Sequence, residues 1–188
     1  MPASDPYAAV VLTGGTGARL GGADKATLEL AGRPLLAWTL AALERATEVV
    51  VVGDHVATPR PVRFTREDPP GGGPVAGLLA GCDALTGHPE LVVVLACDMP
   101  LVGPATVARL VTAAAGGDGA ALVGLDGRRA LAMALDLGRL DAVRPPDPHG
   151  MPLRRLLAPL DLTPVPSVGD EHRDVDTWDD LADLRQRL

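Results

Sequence analysis

Residues 12–25 read Leu-Thr-Gly-Gly-Thr-Gly-Ala-Arg-Leu-Gly-Gly-Ala-Asp-Lys, directly after a short apolar run. The glycines at 14, 15, 17, 21 and 22 let backbone N–H groups come close to an anion, because no Cβ intervenes. Arg19 and Lys25 add two positive charges to the same loop. Backbone donors and cations in so short a segment suit a nucleoside triphosphate. Spacing excludes two familiar phosphate loops. The dinucleotide pattern starting from Gly15 and Gly17 needs a glycine where Leu20 stands, and Asp24-Lys25-Ala26 does not supply the Gly-Lys-Ser/Thr of a P-loop. Taken alone, the stretch also fits a tight glycine turn with solvated charges.

Further candidates lie downstream. Asp98, in Cys97-Asp98-Met99-Pro100, follows the apolar run 91–96. A carboxylate just past a buried strand is placed to hold Mg²⁺, which takes hard oxygen ligands from one or two carboxylates, phosphates and water. Capping the next helix is the competing role for Asp98. The stretch Glu67-Asp68-Pro69-Pro70-Gly71-Gly72-Gly73-Pro74-Val75-Ala76-Gly77 is a second glycine loop leading into a helix. It fits either an exposed turn or a wrap around base and ribose, with Asp68 accepting from hydroxyls or a guanine edge. Near the end, Thr177 opens a helix with Asp179 and Asp180 in its first turn, which suits the helix dipole. If the preceding segment is extended, Asp174 and Asp176 share a side and one of them is a candidate second metal ligand; helix capping explains the segment equally well. His55, His88, His149 and His172 fall on loops without ligand spacing and read as solvated. Arg154 and Arg155 either meet a second phosphate or line a solvated helix face.

The elements that must position these groups alternate along the chain. Strand-like apolar runs occupy 8–13, 49–52 and 91–96, with weaker ones near 119–125 and 130–135. Most are continuous rather than alternating, as strands buried on both faces of a parallel sheet are. Helices are predicted from Pro34, over 75–85, 105–114 and 151–158, and from 177 to about 187. This order predicts a doubly wound α/β fold, a mostly parallel sheet with helices on both faces. Ligands bind outside the carboxyl ends of such strands, so the loops 13–25, 68–74 and 97–100 are expected near one another. The Pro/Gly-dense stretches 68–74 and 145–152 are too short to separate domains, and one domain over 1–188 is expected.

Composition narrows the partners. The chain has 188 residues, 47% of them hydrophobic but only one Phe, one Tyr and two Trp. That length can bury about 70% of its unfolded surface, and aromatic platforms for single-stranded nucleic acid are scarce. The net charge of −7 argues against a nucleic-acid partner but not against a triphosphate held by local cations. No apolar run is long enough to span a membrane, and no basic-then-apolar leader opens the chain, so a cytoplasmic location is expected. Cys82 and Cys97 provide neither a disulfide framework nor a metal-spaced cluster.

The segments in order resemble the molybdenum cofactor guanylyltransferase family, within the wider group of Mg²⁺-dependent nucleotidyltransferases. The family's opening Leu-Ala-Gly-Gly-x-x-x-Arg-Met-Gly-x-Asp-Lys is matched by Leu12 to Lys25, apart from Thr13, Leu20 and one extra residue. Its Gly-Pro-Leu-Ala-Gly loop is matched by Gly73-Pro74-Val75-Ala76-Gly77, and its Cys-Asp-x-Pro by Cys97–Pro100. The final Asn/Asp-x-Asn/Asp-Thr-Pro-Glu-Asp-Leu is matched by Asp174–Leu181, with Trp178 and Asp179 replacing Pro and Glu. Gly150–Leu157 is similar to its Arg-containing helix. Where the family often has an Asn after the second strand, Gly53 and Asp54 stand here.

The resemblance implies a Rossmann-like nucleotidyltransferase fold and transfer of GMP from Mg·GTP to a molybdenum-molybdopterin cofactor, with release of pyrophosphate. It assigns the amides of Gly14 and Gly15, with Arg19, to the phosphates and Lys25 to the α-phosphate. Asp98 would hold Mg²⁺ with Asp176 as second ligand. Asp68 would contact the nucleoside, and Leu12 and Thr13 would line the base pocket. Arg19, Lys25 and Asp98 are then the catalytic candidates. The partners implied are GTP and the molybdopterin-type cofactor, with molybdoenzymes or their insertion chaperones receiving the product. Two alternatives share the scaffold: a cytidylyl- or sugar-phosphate nucleotidyltransferase, and a non-catalytic nucleotide-binding regulator.

Overall fold

The computed structural model describes residues 6–14 and 24–186. In chain order the elements are β1 (Ala8–Leu12), β2 (Glu29–Leu30), β3 (Arg33–Pro34), α1 (Leu35–Ala42), β4 (Val49–Val52), β5 (Arg63–Thr65) and α2 (Gly73–Asp83). Then come β6 (Leu91–Ala96), α3 (Pro104–Ala114), β7 (Gly119–Val123), β8 (Arg129–Asp136), α4 (Leu137–Ala142), α5 (Leu153–Leu157), β9 (Leu162–Pro166) and α6 (Trp178–Arg185).

Continuous apolar runs make the centre of the molecule. All five residues of β1 and all four of β4 are buried, as strands covered on both faces must be. The main sheet has seven strands in the order β5-β4-β1-β6-β8-β7-β9. β1 pairs in parallel with β4 and β6, β4 with β5, and β7 with β9. β8 runs antiparallel to both β6 and β7, so the weak run near 130–135 is a strand of opposite sense. A short antiparallel β2–β3 hairpin precedes α1.

Side-chain parity sorts the core into layers. Ala9, Val11, Val49, Val51, Val93 and Leu95 face α1 and α3, meeting Leu36, Leu40, Val107 and Leu110. Val10, Leu12, Val50, Val52, Val92 and Val94 face the other way, onto Val75, Leu78 and Leu79 of α2 and Leu140, Leu156 and Leu157 of α4 and α5. Helices therefore cover both faces, as the doubly wound reading requires. A third, smaller cluster joins Leu30 and Leu35 to Val175, Leu181 and Leu184, which seats α6 beside the β2–β3 hairpin.

Helix starts differ in detail from the sequence expectation. Pro34 is the N-cap of α1 rather than its first residue, whereas Pro104 begins α3 and Pro74 is the second residue of α2. β5, α4 and β9 were not predicted. β5 has only three residues, and β9 carries Pro164 and Pro166, which mask its strand pattern.

Candidate functional site

The first side chain at the carboxyl edge of the sheet is Lys25. Its backbone lies in a turn fixed by Asp24, whose Oδ1 accepts from the Ala26 N–H (3.0 Å) and whose carbonyl accepts from the Thr27 N–H (3.1 Å). Lys25 Nζ donates to Asp98 Oδ2 and to Asp176 Oδ1, at 2.7 Å each. Backbone hydrogen bonds explain why residues so distant in sequence meet. The Cys97 N–H donates to the Leu12 carbonyl (3.0 Å), which extends the β1–β6 pairing to the edge where Asp98 emerges. The Val175 N–H then donates to the Asp98 carbonyl (2.9 Å), drawing the segment after β9 across that edge and setting Asp176 beside Lys25.

The charge balance is uneven. Lys25 is 8% exposed. Burial pulls its pKa down, but the hydrogen bonds to Asp176 and Asp98 outweigh that and hold the ammonium's pKa above the ordinary lysine value. Asp174, two residues before Asp176, is largely exposed, and partial desolvation together with the charges of Asp176 and Asp98 raises its carboxyl above the usual range. Asp98 does not cap a helix, since α3 starts at Pro104 behind an N-cap at Gly103. Its reading as a cap is thereby set aside. Lys25 is also the only lysine in the chain, the other sixteen basic residues all being arginine.

Leu12 and Thr13 sit at the end of β1, both buried. The Leu12 side chain belongs to the α2 face of the core, and the Thr13 hydroxyl donates to the Val52 carbonyl (2.9 Å). Gly53, at φ +152°, is dictated by Thr13: a Cβ there would lie 1.9 Å from Thr13 Oγ1. Gly14 follows on the same exit and is open to approach. Gly15 and Arg19 lie outside the described residues. Asp68 is exposed on the loop leaving β5, two strands from β1, and is not among the residues joined to Lys25. That loop is folded by its neighbour Glu67, whose Oε1 accepts from the Gly71 N–H (3.0 Å).

Other functional supports were not legible in the sequence. His149 is half-buried rather than solvated: its ring lies over Gly72, where a Cβ would come within 2.4 Å of Nδ1, and the Gly150 N–H donates to the Gly72 carbonyl (2.9 Å). The two Pro/Gly loops are thus one layer. Arg154 and Arg155 are exposed on α5, which packs against α2. The segment 167–176, which carries Asp174 and Asp176, is clamped by Glu171. Its carboxylate accepts from Thr106 Oγ1 (2.7 Å), from Arg109 Nη2 (2.6 Å) and from the Val168 N–H (2.9 Å). Asp180 Oδ2 accepts from the N–H groups of Asp176 (3.2 Å) and Thr177 (2.8 Å), fixing the backbone of the candidate ligand itself. A Glu five residues past a strand and an Asp in a first helical turn are too common to single these out beforehand.

Cys82 and Cys97 are buried free thiols, with burial pushing Cys82 up to about 12 and Cys97 up as well. A cavity of about 770 Å³ lies at the opposite, amino edge of the sheet, where Glu48 is already engaged by Thr86 and Gly87.

A doubly wound sheet with a glycine-rich exit from its central strand, and a lysine–carboxylate cluster at its carboxyl edge, defines a Rossmann-like protein of nucleotidyltransferase architecture. The chain belongs to the MobA-like NTP transferase domain family, whose model matches residues 9–166. A molybdenum cofactor guanylyltransferase from Ectopseudomonas mendocina is 37% identical over 105 residues, covering 53% of this chain and 51% of that protein. One from Pseudomonas putida is 34% identical over 125 residues, covering 63% of each chain. The aligned segments thus span about half to two-thirds of these curated relatives. A nucleotidyl transferase from Methanothermobacter thermautotroptrophicus superimposes with a TM-score of 0.74 at 22% identity, covering 97% of both chains.

Proposed function

We propose that this chain, acting as one domain over residues 1–188, transfers GMP from GTP to the terminal phosphate of a molybdenum-molybdopterin cofactor and releases pyrophosphate. The observation that carries the reading is the convergence of Lys25, Asp98 and Asp176, at 2.7 Å contacts, on the edge where the first glycine loop leaves β1. The curated relatives named above support guanine and the molybdenum cofactor as the substrates.

In-line attack on an α-phosphate gathers negative charge on the transferring group and on the leaving pyrophosphate, so positive charge must already be in place. Two carboxylates converging on one cation are the hard-oxygen pair Mg²⁺ accepts, with phosphates and water completing its shell. Asp98 and Asp176 would hold that Mg²⁺, which when bound neutralises phosphate charge and holds the triphosphate in line. Lys25 would take the α-phosphate from its fixed turn, and Arg19 with the amides of Gly14 and Gly15 is assigned to the phosphates. Asp68 reads the nucleoside, and Leu12 and Thr13 floor the base pocket. No protein nucleophile is required, because the acceptor's phosphate attacks directly. Such chemistry belongs in the cytoplasm, with molybdoenzymes or their insertion chaperones taking the product.

The test is to supply Mg²⁺ and molybdenum-loaded molybdopterin with GTP or CTP separately, then measure pyrophosphate and the dinucleotide product. GTP-selective product supports the reading. Product from CTP alone moves the chain to the cytidylyl branch, and tight GTP binding without product contradicts transfer to this acceptor.

A further inference from the structure

We propose that Lys25 is a built-in counterion that a divalent metal must displace, so that metal entry and delivery of the lysine to the phosphates are one event. This rests on the reading of Asp98 and Asp176 as the metal ligands. Lys25 Nζ stands 2.7 Å from an oxygen of each, at the point where their carboxylates converge. An ammonium and a divalent ion cannot share that point. Two carboxylates face a single ammonium, so the site carries more negative charge than one lysine neutralises. A doubly charged ion therefore balances the cluster better than a singly charged one.

The residue type fits exchange. Every other basic position in the chain is arginine, and lysine appears only here. Arginine's rigid fork would grip the carboxylates in paired hydrogen bonds, whereas an ammonium on a flexible four-carbon stem exchanges partners readily. The Asp24 turn pins the backbone of Lys25, so only the side chain has to swing. Released from the carboxylates, it finds its next partner in the triphosphate that arrives with the metal. The pairing would also offset part of the carboxylates' charge between turnovers.

The experiment is Mn²⁺ binding to the full-length protein without nucleotide, followed by the loss of the free-ion spin-resonance signal. Lys25→Met should bind Mn²⁺ roughly tenfold more tightly than wild type, within the usual range for coupling between competing ligands. Lys25→Arg should bind no more tightly than wild type. Equal or weaker binding by Lys25→Met overturns the exchange while leaving the transfer reaction untouched. Absence of Mn²⁺ binding in every variant, even with GTP present, overturns the metal reading as well.

The unaltered protein gives a second measurement that does not depend on how the variant folds. Because Lys25 is the only lysine, its acetylation by acetic anhydride is read from one peptide by mass spectrometry. Saturating Mn²⁺ should raise its acetylation severalfold over a matched potassium salt. An unchanged rate would overturn the proposal.

Discussion

Lys25 was visible in the sequence as a cation on the first glycine loop, Asp98 as a carboxylate just past an apolar run, and Asp176 as one just before a helix. Their contacts at 2.7 Å could not be read there, because they depend on the Cys97–Leu12 and Val175–Asp98 backbone bonds. Lys25→Ala is expected to lower kcat by roughly 10²–10³, as loss of one preorganised charge-stabilising group does; steady-state kinetics with near-normal kcat would remove Lys25 from the site. A second residue-scale dependence was hidden. Thr13 and Gly53 each depart from the family pattern, and their contact ties the two departures together. A methyl at 53 would strike the Thr13 hydroxyl at 1.9 Å. Gly53→Ala should lower Tm markedly, and a denaturation double-mutant cycle should show part of that loss relieved by Thr13→Ala. The remainder reflects the positive φ at that position. Strict additivity would mean that the two residues do not communicate.

Among the elements, the long apolar strands were legible because burial on both faces writes itself as uninterrupted Val, Leu and Ala. Short or proline-bearing strands leave no such record, which is why β5 and β9 escaped. The segment between β9 and α6 matters most for the site, because it delivers Asp176 and is held down by Glu171. Burial raises the Glu171 pKa, but the bonds from Arg109, the Val168 N–H and the Thr106 hydroxyl overcome this and hold its carboxyl below the ordinary value near 4.5. A carboxylate depressed on folding stabilises above its unfolded pKa, and that contribution is lost as pH falls through the folded value. Glu171→Gln should therefore melt below wild type at pH 7, with the gap closing as the pH falls below about 4.5; a gap constant with pH would exclude the ionised clamp. The α2 helix has its own signature in Gly81, whose missing Cβ would lie 2.4 Å from Val10 Cγ1 and 2.9 Å from Val52 Cγ2. Gly81→Ala should cost about 1–3 kcal/mol by overpacking, despite alanine's better helix propensity, as denaturant titration would show.

At the scale of the whole molecule, alternate residues of each central strand serve opposite helical layers, so the sheet edge is braced from both sides. That rigidity lets loops of low regularity hold charged groups in contact. Among the described residues no helix is long and apolar enough to cross a membrane. Fold class and the order of chemical segments were readable from one chain, since both follow from local pattern. The joining of the two Pro/Gly loops through His149 and Gly72 was not, because it depends on tertiary approach alone. Transfer of GMP at the lysine–carboxylate cluster is tested by the rate of dinucleotide product formation by Asp98→Asn beside wild type. Mg²⁺-dependent transfer from GTP should be abolished while the variant remains folded. Product formed at the wild-type rate would contradict it.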